Sequence, residues 1–304
     1  MSRETERAFK AIHKALKENG ADDMSLEDAN VFLQKFMEDY NSNPHTAVTE
    51  KTASTADDYL ELAEEAPTRA KAEKYIKKAL ELEPDNLDAV GASLDLIAND
   101  NPWEFYNKIT AAVENATKQM EVKGLMDEDS IGAYWGILET RPYMRLLNRY
   151  ADFMTEAGMM GPAAREYEEM LRLSTNDNLG VRYRLMHIYA FLENEEAALE
   201  LLNKYGEHEE TQLLLPLSIL YFKTGKFDKA EEYLGRLNAV NKDTKKFFKA
   251  IKKEKLDQYM DEMSDFGYRP FSIQELIVEL MGNSFLFETV PFYFDWAYEK
   301  TRNM

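Results

Sequence analysis

The segment GPAAREYEEMLRL, residues 161–173, decides the fold because its pattern returns twice further along the chain. EEAALELLNKY (195–205) and KAEEYLGRL (229–237) repeat its order of side chains. Each has an alanine, an apolar or aromatic residue four positions later, and another three positions beyond that. The alanines are spaced by 35 and then 32 residues, at Ala163, Ala198 and Ala230. Spacings of three and four belong to one helix face, so the pattern predicts three amphipathic helices.

Another helix is predicted before each of these segments, with its own row of apolar residues. The rows are Leu147, Tyr150, Ala151 and Met154; Leu185, Met186 and Tyr189; and Leu214, Leu217, Ser218 and Tyr221. Turns are expected at Gly158, near Glu193 and at Gly225. AEKYIKKALELEPDN, residues 72–86, holds a further copy. One helix pair cannot bury its apolar face alone, so the pairs are expected to stack.

The sequence therefore predicts an all-α fold, a superhelix of antiparallel helix pairs. A repeat near 34 residues resembles the tetratricopeptide repeat. Residues 1–42 are predicted to form an N-terminal helical hairpin and residues 43–55 a linker. The tetratricopeptide-like solenoid is expected over residues 56–240, irregular at 101–141 and regular at 142–240. Residues 241–304 are expected to form a helical cap, whose aromatic stretch at 285–298 covers the last repeat or serves as a docking or dimerisation face.

Two stretches carry a more specific resemblance. They are GAYWGILETRPYMR (132–145) and the run from EYEEMLRL to LLNKY (166–205), and ALELEPDNLDAV (79–90) agrees with them. They resemble a bacterial group of tetratricopeptide proteins that is similar to the suppressor of tumorigenicity protein seven family. Some members of that group carry a metal-binding tail with cysteines, whereas this chain has no cysteine. The resemblance implies an interaction scaffold.

Composition limits the function classes. The 304-residue chain has 56 acidic and 37 basic side chains and a net charge of -19. Such a surface repels phosphate backbones and anionic lipids, so neither nucleic acid nor a membrane is expected as a partner. The absence of cysteine excludes disulfides and thiolate metal sites. The N-terminus is polar and the longest apolar run is about half a membrane span, so we expect a cytoplasmic protein.

No catalytic constellation stands out in the sequence. HExxH, GxGxxG and P-loop motifs are missing, and the four histidines show no metal-ligand spacing. Acidic pairs are inevitable among so many carboxylates and are more often solvated than catalytic. We therefore expect a protein that is not an enzyme and that holds no metal or cofactor.

A cationic groove is the candidate binding site. In a tetratricopeptide solenoid the first helix of each pair lines the concave face. Its residues not used for packing are Arg145, Asn148, Arg149 and Asp152; Tyr183, Arg184, His187 and Phe191; and Leu215, Ile219, Phe222 and Lys223. Arginine binds carboxylates through paired hydrogen bonds, which favours an acidic peptide as the ligand. Alternatively, the arginines form internal ion pairs with acids such as Glu139, Asp152 and Glu156.

The leading interpretation is a non-enzymatic adaptor that binds an acidic peptide or protein segment in this groove. Two alternatives remain open. The aromatic C-terminus could make the protein a structural or regulatory homo-oligomer, or the acidic exterior could act as a decoy or inhibitor of a basic partner.

Overall fold

The computed structural model describes residues 24–42, 48–260 and 267–302, Met304, and isolated positions among the first sixteen residues. These residues form helices and turns and contain no β-strand, which confirms the predicted all-α class. The chain divides into two compact units, Met1–Tyr150 and Ala151–Met304. Most of the first helix of the predicted N-terminal hairpin lies outside the described residues. None of the described helices has the length and apolar character needed to cross a lipid bilayer.

In the first unit, the described residues from position 24 onward form five helices and the start of a sixth. They are α1 (Leu26–Ser42), α2 (Ala56–Glu64), α3 (Arg69–Leu82), α4 (Leu87–Ala98), α5 (Pro102–Val122) and α6 (Arg141–Glu156). Helix α2 packs against α3, α3 against α4, and α4 against α5. Helix pairing therefore extends into the stretch predicted to be irregular, where two short 3₁₀ segments (Tyr134–Gly136 and Leu138–Thr140) precede α6.

Local sequence explains where these helices begin. Thr55 and Asp58 form a capping box at the start of α2, because each side chain binds the other residue's backbone N–H. Asn101 caps α5, whose first residue is Pro102. Arg141 starts α6, one position before Pro142, and its Nε donates a hydrogen bond to the carbonyl of Trp135 at 2.8 Å.

The second unit holds the remaining helices. They are α7 (Met160–Leu173), α8 (Val181–Phe191), α9 (Glu195–Tyr205), α10 (Thr211–Lys223), α11 (Phe227–Val240), α12 (Thr244–Lys252), α13 (Asp257–Met260), α14 (Ile273–Gly282), α15 (Ser284–Phe287) and α16 (Pro291–Arg302). Helix α8 contacts α7, α9 and α10, and α10 packs against α11. Successive helix pairs thus follow one another as the tetratricopeptide-like pattern predicted.

The same turn closes the first helix of all three regular pairs. After α6 the N–H of Met159 donates to the carbonyl of Met154 at 2.8 Å, which is the long hydrogen bond of a Schellman motif. The same long backbone hydrogen bond is made after α8 and after α10. The turn needs a left-handed residue, and Gly158, Glu193 and Gly225 have φ of 76°, 57° and 72°. Glu193 therefore adopts a conformation that favours glycine.

The residues of the repeated pattern form the core of this unit. Ala163, Ala198 and Ala230 are completely buried, so the paired helices can approach closely. The apolar rows predicted on α8 and α10 are buried as well. The second repeat departs from the pattern, because Leu202 and Tyr205 are only partly buried and Leu201 fills the core beside Ala198.

The C-terminal segment, defined here as residues 273–302, packs back onto the repeats of its unit. Helix α14 contacts α10 and α12, α15 contacts α8, and α16 contacts α11 and α12. The Tyr293 side chain is completely buried, and its hydroxyl donates to Ser218 Oγ at 2.9 Å. Much of the aromatic C-terminus is therefore used inside the unit, although Phe292 stays 78% exposed.

Candidate functional site

The predicted groove residues fall in both units, and each unit holds its own cluster. In the first unit Arg145 extends from α6 to Asp88 on α4. Its Nε and Nη2 lie 2.7 and 2.6 Å from the two carboxylate oxygens of Asp88. Its Nη1 lies 2.9 Å from Glu6 Oε2. The three side chains are 25%, 9% and 8% exposed, so the cluster is largely buried.

The electrostatics of this cluster favour internal pairing. Burial lowers the pKa of Arg145, but the hydrogen bonds and charges of Asp88 and Glu6 outweigh it and hold the pKa above its usual value. The acids that bind Arg145 differ from those named in the sequence analysis. They come from distant positions, 57 and 139 residues away. For Arg145, the structure supports the ion-pair alternative.

Arg149 lies one turn further along α6 and also contacts α4. Its Nε is 3.1 Å from Asp95 Oδ2, and the pair is partly exposed. A Cβ atom at Gly91 would come within 3.1 Å of the Arg149 guanidinium, so the missing side chain makes room for it. Asn148, between the two arginines, is half-buried.

In the second unit the predicted charged residues of α8 meet the junction of α14 and α15. Arg184 Nη1 donates to the carbonyl of Gly282 and, at 3.0 Å, to Asn283 Oδ1. His187 is completely buried and lies 3.5 Å from Glu279 Oε2. Gln212 Nε2 donates to the other oxygen of Glu279 at 2.9 Å. The structure therefore places Arg184 and His187 together, against residues of their own chain.

The predicted apolar residues meet the C-terminal segment too. The Phe191 ring meets Phe285 edge-on, with 5.9 Å between the ring centroids. Phe222 contacts the rings of Tyr293 and Trp296 at 5.4 and 5.2 Å. Leu215 and Ile219 are completely buried. The face of α8 and α10 is thus covered by the C-terminal segment.

Lys223 is the last residue of α10. It is also the remaining cation among the predicted groove residues. Its Nζ donates to the carbonyl of Phe191 at 2.6 Å and to that of Ala190 at 3.2 Å. Burial lowers its pKa, and Glu193 at 3.6 Å opposes that effect. Lys223 thereby satisfies carbonyl groups at the end of α8, a favourable place for a cation.

The two remaining predicted residues belong to separate contacts. Asp152 accepts a hydrogen bond from the hydroxyl of Tyr167 at 2.6 Å. Tyr183 donates to Glu210 Oε1 at 2.8 Å. Beside it, Arg182 bridges Asp177 and Glu210, with its guanidinium 4.0 Å from the centre of the Tyr183 ring.

Sequence reasoning missed Arg182 and the partners on the C-terminal segment. Arg182 lies within the stretch 166–205 that carries the family resemblance, but no pattern singled it out. Gln212, Glu279 and Asn283 carry no signal, because their role depends on long-range packing. Among the described residues, no group of three or more histidine, cysteine or acidic side chains is arranged to hold a metal ion.

Comparisons with known proteins add little. No family model and no curated protein match the sequence, so the specific resemblance to proteins similar to the suppressor of tumorigenicity protein seven family gains no support. One solved structure that is similar is a tetratricopeptide repeat protein from Parabacteroides merdae ATCC 43184. It shares 14% identity, covering 81% of this chain and 98% of that one with a TM-score of 0.46. The fold described above rests on the helix pairs of this chain.

Proposed function

We propose that this protein is a non-enzymatic interaction scaffold that binds an acidic segment of a partner protein on the face of α8 and α10. The observation that best supports this proposal is that the face already binds a polypeptide segment, namely the chain's own residues 273–302. Arg184, Phe191 and Phe222, all predicted to contact a ligand, make these contacts. The face has the cation and the aromatic side chains that a peptide groove uses.

The present partners of Arg184 favour an acidic ligand, because neither of them carries a negative charge. Its guanidinium donates to a backbone carbonyl and to the amide oxygen of Asn283, both neutral acceptors. A carboxylate in the same position accepts a shorter and stronger hydrogen bond from arginine. An acidic side chain of a partner therefore competes well against the Gly282–Asn283 junction.

Exchange at this junction does not require the whole C-terminal segment to leave. Tyr293 and Leu286 are completely buried and anchor the segment. Gly282 and Met281 are exposed and Phe285 is half-buried, so a partner can reach the junction at Gly282, whereas Asn283 is only 7% exposed. The partner is expected to replace contacts at the junction while α16 stays in place.

Two synthetic peptides test the proposal with the full-length chain. One carries glutamates between leucines and phenylalanines, and the other has glutamine at every glutamate. Fluorescence anisotropy should show tighter binding of the acidic peptide. Arg184→Gln should weaken it by roughly 10- to 100-fold, the range for a charged hydrogen bond. Arg165→Gln, which changes an exposed arginine on α7, is the matched control.

Equal affinity for the two peptides would contradict the acidic specificity. Equal weakening by Arg184→Gln and Arg165→Gln would contradict the assigned face. Circular dichroism spectra of both variants at the binding temperature should match that of the parent chain, so that a loss of binding is not a loss of fold. Arg184→Gln should melt at a lower temperature than the parent, because it loses the bonds to Gly282 and Asn283.

A further inference from the structure

The chain concentrates positive charge in one place outside the predicted groove. Residues 245–255 contain six lysines and one glutamate, although acidic residues outnumber basic ones by 56 to 37 in the whole chain. Lysines four residues apart on a helix repel one another, as Lys245, Lys249 and Lys253 do here. The C-terminal end of α12, where Lys249 and Lys253 lie, favours cations, and this offsets part of the repulsion.

Packing fixes the direction in which these lysines point. Phe247 and Phe248 are completely buried on α12, which contacts α14 and α16. Lys245, Lys246 and Lys249 are exposed on the other side of the same helix. The apolar anchor therefore holds the cationic side of α12 toward solvent.

A tight turn brings further lysines to the same place. Glu254 has φ of 51°, and the N–H of Lys255 donates to the carbonyl of Ala250 at 2.9 Å. The chain reverses there into α13. The result is an open hollow of about 420 Å³, called here the lysine hollow, lined by Lys245, Lys246, Lys249, Ala250, Lys253, Lys255, Gln258 and Tyr259.

The acidic residues that the structure describes form no ion pair with the lysines of the hollow. Within the described ranges, no carboxylate lies within 4.0 Å of the Nζ atom of any of its five lysines. Lys252 differs from these lysines, because it lies on α12 outside the hollow and forms an ion pair. Its Nζ lies 2.6 Å from Asp295 Oδ1. Lys246 Nζ instead lies 4.4 Å from the centre of the Tyr259 ring.

We propose that the lysine hollow binds a small anion that carries several phosphate groups. Lysine acts as a compact point charge toward phosphate, whereas carboxylate recognition favours the arginine fork, which the hollow lacks. Its volume is within the range of small-ligand sites. At physiological salt, charges beyond about 8 Å are largely screened, so the acidic remainder of the surface does not cancel the local field.

This site is separate from the face of α8 and α10. Its residues lie on α12, α13 and the turn between them, so either proposal can fail without the other. A partner's acidic segment is the competing occupant, and the experiment compares it directly with the phosphate compound.

Tripolyphosphate is the probe, titrated calorimetrically into the full-length chain at physiological salt. We expect one molecule to bind per chain. The double variant Lys249→Gln/Lys253→Gln should weaken binding by at least about tenfold, because it removes two charge-assisted contacts. Lys252→Gln is the matched control and should bind as the parent does. Acetylation footprinting should show protection of Lys245, Lys249 and Lys253 by the probe, with Lys252 unprotected.

Lys249 and Lys253 are both exposed, so the double variant should keep its fold, and its melting curve checks this separately. Absence of tripolyphosphate binding at this salt concentration overturns the proposal. So does equal weakening by Lys252→Gln, or orthophosphate binding as tightly as tripolyphosphate. Tighter binding of a glutamate oligomer of matched charge assigns the lysine hollow to an acidic peptide and overturns the phosphate assignment.

Discussion

His187 Nε2 lies 3.5 Å from Glu279 Oε2, and neither side chain is appreciably exposed. His187 Nδ1 lies 2.8 Å from the carbonyl of Tyr183, which can only accept, so Nδ1 carries the proton of the neutral ring. Nε2 then presents a lone pair toward Glu279. Burial lowers the pKa of His187 to about 4 and raises that of Glu279 to about 7. The two groups therefore complement each other when both are neutral.

This pair predicts an unusual dependence of stability on pH. Glu279 keeps its proton up to about pH 7 in the folded chain, against 4.5 for an ordinary glutamate. Between these values the folded state binds more protons, so the contribution of Glu279 to stability falls as pH rises. His187 titrates at about 4 when folded against 6.5 ordinarily, so its contribution is lost as pH falls through that range. The two trends oppose each other where their windows overlap.

Glu279→Gln isolates the carboxyl contribution, because glutamine mimics the protonated form. The free energy of unfolding of the variant, minus that of the parent, should increase by about 3 kcal/mol from pH 4.5 to pH 7. Urea unfolding at several pH values measures it. The exposed Glu196→Gln is the control for the removal of a surface carboxylate. A difference for Glu279→Gln no larger than that for Glu196→Gln would mean that burial does not raise the pKa of Glu279.

The neighbouring residues Phe292 and Tyr293 provide a matched test of the C-terminal anchor. Tyr293 is completely buried whereas Phe292 is 78% exposed. Tyr293→Ala should lower the free energy of unfolding by about 3–5 kcal/mol, because it leaves a cavity and removes the bond to Ser218. Phe292→Ala should change it by no more than about 0.5 kcal/mol. Similar losses in the two variants would contradict the packing of α16 described above.

Loss of Arg145 should destabilise the first unit strongly. Arg145→Met leaves the carboxylates of Asp88 and Glu6 without their shared cation, and breaking a buried pair in this way costs about 3–5 kcal/mol. Lys108→Met, which breaks the exposed pair with Glu104, should cost far less. Urea unfolding measures both. If Arg145→Met is as stable as Lys108→Met, the cluster does not hold the unit together.

Glu193 stores strain that a glycine would relieve. Its φ of 57° is costly for a residue with a Cβ atom, and Gly158 and Gly225 occupy the equivalent turns. Glu193→Gly should raise the free energy of unfolding by about 0.5–1 kcal/mol, after the greater flexibility of glycine in the unfolded chain is allowed for.

Glu193→Gln separates this effect from the charge. It keeps the Cβ atom but removes the ion pair with Lys223, and Glu193 is 52% exposed. Its stability should therefore stay within about 0.5 kcal/mol of the parent. Thermal unfolding compares the two variants. A loss of stability in Glu193→Gly would show that the contact with Lys223 outweighs the backbone strain.

The fold could be predicted from the periodicity of the sequence, because helix faces and turns are determined by residues that are close together in the chain. The spacing from Ala163 to Met170 was enough to identify a buried face, and Gly158 was enough to locate a turn. The second repeat shows the limit, since Leu201 rather than Leu202 takes the fully buried place.

The candidate site was less predictable because its contacts join distant parts of the chain. Periodicity identified the side of α8 that carries Arg184, but the contact with Gly282 spans 98 residues. The acids that pair with Arg145 could not be selected among 56 carboxylates. The lysine run at 245–255 was visible as a charge pattern, but only the buried Phe247 and Phe248 show which way it points.

The bond from Tyr293 to Ser218 has a consequence for how the protein is made. The two residues are 75 positions apart, and α16 is synthesised after every helix that it contacts. At translation speeds of 5–20 residues per second, Tyr293 is synthesised roughly 4–15 s after Ser218. During that interval the nascent chain presents the apolar side of α10 outside the ribosome, where a chaperone or a neighbouring nascent chain can reach it.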